Sequence, residues 1–375
     1  MVDVLGLTII LPLLPFYAEK LGAGPLAATL IFSIYGLCQF VAGPFLGQLS
    51  DRIGRKPVLL VSQIGTFAGF LMIAFAPSLA WVFAGRIIDG LTAGNLSVAQ
   101  AYIADVTEPK DRAKAFGFLG IAFGVGFLLG PAISGFLSSF GYHYPFLFAA
   151  GLSATSVACT FFLLGNPPRQ TVAPQGFEWG IYAEFFKSQK LTLLLSQFLA
   201  FIFAFATLIG GLALYCERRF TYQGNAFGAT EVGYVFAYSG LVGIIVQGGF
   251  IGRLVKITGE KRLVSIGFIA AALGFGLLAL ANDILFLVLG ITAFTFGHAL
   301  LRPCLTSLIT QAVPRDRQGA VMGLMQSLMS IAQVTAPVIS GVLIERHLLS
   351  SWAWMGAAFS AAGWAVLFMR RPVSS

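Results

Sequence analysis

The sequence predicts an all-α membrane protein of twelve transmembrane helices in two six-helix, pseudo-symmetric bundles. Three observations lead there. Twelve apolar runs divide the 375 residues, the basic residues sit mostly in alternate loops, and one set of residues recurs about 205 positions later. Composition agrees: 57% of residues are hydrophobic and 10% charged, and the mean hydropathy is +0.86. Soluble domains carry about 25% charged residues, so this chain cannot coat a water-soluble globule of its size. Soluble enzymes, nucleic-acid binders and disordered scaffolds are excluded on that ground, and the net charge of +8 belongs to the loops of a membrane protein.

A spanning helix needs about 20 apolar residues. The runs lie at roughly 1–18, 26–49, 57–76, 80–104, 114–138, 145–165, 191–215, 231–253, 262–281, 284–310, 317–344 and 350–369. Helix follows from the bilayer, which leaves no water to satisfy a free backbone, and the ten-residue alternation of a membrane β-barrel is absent. The first run is short and contains Asp3, so the first helix is expected to lack its opening turns. Putting the loops 50–56, 105–114, 166–190, 254–262, 311–317 and the tail on one side, with Arg253, gathers 17 of the 23 Lys and Arg residues there. Lys20, Arg218, Arg219 and Arg346 lie opposite, and Arg86 and Arg302 fall inside spans. By the positive-inside rule both termini are cytoplasmic.

Residues 166–190 are Pro-rich and polar, then faintly amphipathic from Phe177 to Phe186. They are read as a cytoplasmic linker with an interfacial helix between an N-terminal bundle (1–165) and a C-terminal bundle (191–375). The repeat supports this division. Gly47-Gln-Leu49 and Gly54-Arg-Lys56 return as Gly252-Arg-Leu254 and Gly259-Glu-Lys261, Pro109-Lys-Asp111-Arg112 as Pro314-Arg-Asp316-Arg317, and Pro131-Ala-Ile133-Ser134-Gly135 as Pro337-Val-Ile339-Ser340-Gly341. Two six-span halves in one orientation are the parallel-repeat plan of secondary transporters.

Ionisable groups inside spans are costly and point to function. They are Asp3, Arg86, Asp89 and Arg302, with His298 as a titratable neighbour. Asp3 is the first choice for proton coupling, with Arg86 and Asp89 sharing a face of the fourth span at i,i+3. The bland alternatives are a helix-end Asp3 and an internally neutral Arg86–Asp89 pair. Gln39, Asn95, Gln100, Gln197, Gln247, Gln326 and Gln333, with His298 and Arg302, are candidates to line a substrate cavity, and Arg302 could instead snorkel to the cytoplasmic side. Cys38, Cys159, Cys216 and Cys304 are scattered without a CxxC pair and read as small buried hydrophobes. No metal-ligand spacing, catalytic constellation or phosphate loop is present. The chain is therefore expected to be no enzyme, to need no cofactor or metal, and to draw on an ion gradient. Expected partners are protons, a small-molecule substrate and the lipid bilayer, with no nucleic acid, and the chain is expected to act as a monomer.

Gly47-Gln-Leu49-Ser50-Asp51-Arg52-Ile53-Gly54-Arg55-Lys56 resembles the loop 2–3 signature of the major facilitator superfamily at every position. Asp3-x-x-Gly6 with Pro12-x-x-Pro15 is similar to the first-helix motif of its drug:proton antiporters, and Arg86-Ile-Ile-Asp89-Gly90 to the fourth-helix arginine motif. Gly126-Phe-Leu-Leu-Gly130-Pro131-Ala-Ile-Ser134-Gly135 resembles the fifth-helix antiporter motif, with Ser134 where a second glycine is usual. The resemblance covers nearly the whole chain and is closest to tetracycline-resistance proteins. It departs at the third and ninth spans, where Gly65-Thr-Phe-Ala-Gly69-Phe70 and Gly267-Phe-Ile-Ala-Ala-Ala272 carry no acid, so it does not extend to a tetracycline–metal substrate. What it implies is proton-coupled efflux of small amphipathic compounds by alternating access. It implies a gating latch at Gly47, Asp51, Arg52, Gly54, Arg55 and Lys56, with Arg55 paired to Asp105, and a bend at Gly130-Pro131 that prevents proton leak. A proton or sodium symporter for a metabolite such as a sugar or organic acid is the alternative within the same fold.

Overall fold

The computed structural model describes residues 2–107, 112–165, 185–314 and 317–369, with the backbone alone for 2, 3, 104 and 112–121. Its helices are α1 (Val2–Lys20), α2 (Pro25–Ile53), α3 (Arg55–Ala74), α4 (Leu79–Leu91), α5 (Asn95–Val106), α6 (Arg112–Ser138) and α7 (His143–Leu163). They continue as α8 (Gln189–Arg219), α9 (Ala229–Ile244), α10 (Ile251–Thr258), α11 (Glu260–Leu280), α12 (Ile284–Gln311), α13 (Gln318–Glu345) and α14 (Leu349–Ala365). Each predicted span has a helical counterpart. Among the described residues, eight helices are long and apolar enough to cross a membrane, counting Ala229–Thr258 as one.

Two spans are interrupted within their length, and the twelfth ends in a 3₁₀ turn, Val366–Phe368. The fourth is split into α4 and α5 at Thr92–Gly94. The eighth passes from α9 into α10 through a π-helical segment, Ile245–Phe250, which contains Gln247-Gly248-Gly249, the kind of local distortion often found where a helix must bend or serve a site. The fifth runs unbroken through Pro131 as α6. Most of the linker, including the helix expected there, lies outside the described residues.

Two compact units form, Met1–Thr171 with Ala213–Leu241, and Val172–Leu212 with Val242–Ser375. In the first, α1 packs on α6 and α7, and α3 on α4 and α7. The end of α8, a two-stranded hairpin (β1, Thr221–Tyr222; β2, Asn225–Ala226) and most of α9 also belong to this unit. The hairpin turns at Gln223 (φ 52°) and Gly224 (φ 83°), the left-handed pair that matches strand twist. In the second unit α11 packs between α12 and α14, and its core runs through Phe198, Phe201, Phe268, Leu300 and Leu301.

The repeat is also geometric. Gly54 and Gly259 each separate two helices with φ 106° and 79°, and their N–H groups bond to Ser50 O (3.1 Å) and Val255 O (2.9 Å). A residue with a β-carbon is strained there, which accounts for a glycine at both positions. One expectation about packing fails: Cys216 and Cys304 are buried, but Cys159 is exposed and Cys38 only partly covered. A thiol is apolar enough to face lipid at no cost, so burial was not required of it.

Candidate functional site

The charged centre of the first unit is built from α2, α3 and α4. Arg86 and Asp89 lie one turn apart on α4 and both are buried, at 2% and 4% exposure. Arg86 Nη1 donates to Asp89 Oδ2 at 2.6 Å. Thr66 of α3 hydrogen-bonds the same carboxylate. The guanidinium carbon stands 4.0 Å from the centre of the Tyr35 ring, a cation–π contact that steadies a charge away from water. Tyr35 Oη in turn accepts from Gln39 Nε2 at 3.5 Å. Gln39, Arg86 and Asp89 thus join one cluster, and Tyr35 and Thr66 complete it. Sequence reasoning missed both; the glycines that let α3 approach α4 were the available signal. A β-carbon at Gly69 would stand 2.8 Å from Gly85 O, and one at Gly85 2.9 Å from Gly69 O.

Immediately beyond this pair the helix breaks. Ser62 of α3, fully buried, accepts from Gly94 N–H at 2.8 Å and donates to Thr92 O. Gly94 N–H also donates to Thr92 O at 2.7 Å across the break, so the Ser62 hydroxyl is a second partner to both groups and ties the irregular backbone to α3, where no water can do so. Thr92 folds its own hydroxyl back to Ile88 O at 2.8 Å. Asn95 opens α5, and its buried Oδ1 has no partner among the described residues, nor does Arg86 Nε.

A second cluster gathers the loop signature. Arg55 Nε donates to Asp105 Oδ2 at 2.8 Å, and its Nη1 reaches Asp51 Oδ1 at 2.5 Å and Ser50 Oγ at 2.7 Å. Lys56 Nζ donates to Phe161 O and Leu164 O at 2.8 and 2.7 Å, closing the end of α7. Arg52 is exposed in the last turn of α2. Within 4 Å of a β-carbon at Gly47 there would be nothing among the described residues, whereas Gly54 is required by its φ. In the second copy of the motif, Glu260 replaces Arg55 and accepts from Ser307 Oγ at 2.6 Å.

The antiporter motif faces two ways. Gly126 and Gly130 admit Val4 and Thr8 of α1, and Thr8 donates to Gly126 O at 2.8 Å. Pro131 and Gly135 meet α9: a β-carbon at Gly233 would stand 2.7 Å from Pro131 O, and one at Gly240 2.5 Å from Phe127 O. Thr230 Oγ1 donates to Gly135 O at 3.0 Å. Of Asp3 only the backbone, in α1, is described.

The proposed cavity residues are divided between the two units. Gln197 is buried and donates to Gly363 O at 3.3 Å inside the second unit. A buried amide finds a backbone partner when one is near. His298 is stacked among Phe205 (4.3 Å), Phe201 (4.9 Å) and Phe294 (5.9 Å). Arg302, one turn further, is exposed on its unit, as are Gln100, Gln247 and Gln326 on theirs, while Gln333 is half-buried.

The chain matches the family model of the Major Facilitator Superfamily over residues 1–259 and 248–375. It is 31% identical over 371 residues to the class B tetracycline resistance protein of Escherichia coli, covering 96% of this chain and 90% of that one. It is 26% identical over 374 residues to the quinolone resistance protein NorA of Staphylococcus aureus (strain COL), covering 98% and 93%. Among solved structures it is similar to the human organic anion transporter MFSD10 (TETRAN), with TM-score 0.74, 23% identity, and 98% and 96% of the chains covered. The nucleoside transporter NupG gives TM-score 0.79 at 16% identity over 99% and 98%, a likeness of fold. Helices, loop signature and relatives agree: the chain is a multi-pass membrane protein and belongs to the major facilitator superfamily of transporters.

Proposed function

We propose that this transporter exports small amphipathic compounds from the cytoplasm in exchange for protons, by alternating access, with both termini cytoplasmic. The observation that carries the reading is the buried Arg86–Asp89 pair at 2.6 Å, placed one turn before a helix break. A buried pair tolerates both charges only while they are together. A proton on Asp89 leaves Arg86 without its counter-ion, so the two protonation states favour different arrangements around α4. That is the differential binding a proton-driven cycle requires. Asp3 of α1 is the second candidate carrier. The relatives, among them tetracycline and quinolone resistance proteins, support export of drug-like compounds, and so does the antiporter motif against α1 and α9.

The test is proton movement in proteoliposomes under an imposed pH gradient, with a panel of cationic and neutral drugs. The parental chain is compared with Asp3→Asn and Asp89→Asn. Drug-driven proton release that either substitution abolishes supports antiport. A metabolite that moves with protons in the same direction, with no drug coupling to them, overturns antiport in favour of symport.

A further inference from the structure

The first unit carries an ion cluster far from Arg86. Glu19 lies at the end of α1, and Arg218 in the last turn of α8. Arg218 Nη2 meets Glu19 Oε1 at 2.5 Å, and its Nη1 meets Glu217 Oε2 at 2.7 Å and Leu214 O at 3.4 Å. A cation is favoured at that helix end by the free carbonyls. Of these Arg218 contacts the one to Glu19 crosses to another helix; Glu217, the preceding residue, also hydrogen-bonds the Glu19 carboxyl.

What the pair ties down is one continuous piece of the chain. Residues 213–241 comprise the end of α8, the tight β1–β2 turn and most of α9. Phe220 and Phe227 close the turn with rings 5.8 Å apart and a backbone bond of 3.1 Å. This piece rests on α6 through glycines and short hydroxyls, including Ser138 Oγ and Thr230 Oγ1 at 3.4 Å, surfaces that can part without stranding a charge. It joins the rest of α8 just after Gly210-Gly211, and the π segment 245–250 follows it in the eighth span.

The surroundings suit a contact that breaks and reforms. The three side chains are 18–28% exposed. A cavity of about 550 Å³ lies beside them, lined by Phe16, Glu19, Lys20, Ser138, Tyr142 and Glu217 among others. Lys20 Nζ sits 5.2 Å from the Tyr142 ring centre. Burial first, then the carboxylates of Glu217, Glu19 and Glu231, push the Tyr142 phenol above its ordinary value. A dry pair would be expensive to split and a fully exposed one would hold nothing; this one lies between.

We propose that Glu19 and Arg218 form a reversible latch that holds residues 213–241 closed on α1, and that it parts whenever this end of the transporter opens. The latch rests on alternating access and not on which compound is carried.

The test is maleimide labelling of Ser138→Cys in the full chain in detergent, read on its own peptide by mass spectrometry. Ser138 is 7% exposed under Thr230, so it reacts when the piece lifts. Glu19→Gln and Arg218→Gln should each raise the labelling rate by about threefold, the scale of a partly exposed ion pair. Glu217→Gln should not raise it, and the exchange Glu19→Arg with Arg218→Glu should return it to the parental rate. High salt should raise labelling in the parental protein and not in Glu19→Gln, a measurement that needs no destabilised variant. Equal rates in all variants, a rise in Glu217→Gln as large as in Glu19→Gln, or no salt effect would overturn the latch. None of these readouts uses a substrate or a proton gradient, so they stand or fall apart from the antiport test.

Discussion

Arg55, the second residue past the end of α2, binds Asp105, the residue before the last of α5, with 2.8 Å between Nε and Oδ2. The same guanidinium holds Asp51 on α2, so one side chain joins α2, α3 and α5. If this triad gates the cycle, its loss should affect transport more than folding. Arg55→Ala or Asp105→Ala should lower the melting temperature by an amount worth about 1 kcal/mol or less, since the pair is 18–20% exposed, yet reduce transport severalfold. Parallel melting curves and vesicle uptake check this. A fall in stability with unchanged transport would make the triad structural only.

The Arg86–Asp89 pair should behave oppositely in stability. Arg86→Gln or Asp89→Asn alone disrupts a buried pair and should cost about 3–5 kcal/mol for the worse of the two. Replacing both with Met and Leu should recover most of that stability and leave transport abolished. Thermal unfolding in detergent with a transport assay decides it. A double variant as unstable as the worse single one would mean the charges do not neutralise one another, and one that still transports would remove them from the mechanism.

Ser62→Ala removes an acceptor for Gly94 N–H and a donor to Thr92 O, leaving only the bond those two make with each other. The expected loss is about 1–2 kcal/mol, larger than for Ser139→Ala, whose exposed hydroxyl only folds back to Phe136 O. Equal melting temperatures for the two variants would show that the α4–α5 break does not depend on Ser62.

Gly233→Ala and Gly240→Ala should separate α9 from α6, because their β-carbons meet backbone atoms at 2.7 and 2.5 Å. Each should cost about 1–3 kcal/mol and increase the labelling of Ser138→Cys. Gly243→Ala is the matched control, since its nearest neighbour would be 3.9 Å away, and it should be silent. Comparable effects in all three would point to helix flexibility and away from the contact.

Much of the fold was legible because the bilayer makes it a local problem. An apolar run of sufficient length must be a helix, whatever its neighbours, and the runs around Pro25–Ile53 or Ile284–Gln311 announce themselves. Gly54 and Gly259 were legible as a repeat, and their shared positive φ explains why both are glycine. The loop signature placed Arg55 and Asp105 together through a family resemblance, and Arg86–Asp89 followed from helical spacing alone.

Other features had no local signal. The break at Thr92–Gly94 lies inside an apolar run that reads as continuous, and a serine thirty residues earlier braces it with a hydrogen bond to each side. Gln197 reads as a cavity residue, and only the approach of Gly363 shows that its amide is satisfied in the packing. Tyr35 and Thr66 are unremarkable in sequence until α2 and α3 bring them to Arg86 and Asp89. Glu19 and Arg218 lie 199 positions apart, each an ordinary helix-end charge. The sequence by itself determined which segments cross the membrane and which charges are dear enough to need partners, because hydropathy and helical spacing act over short stretches. The tertiary structure alone decided which partners those are, because hydrogen bonds, ion pairs and glycine contacts between helices depend on distances that no single segment contains.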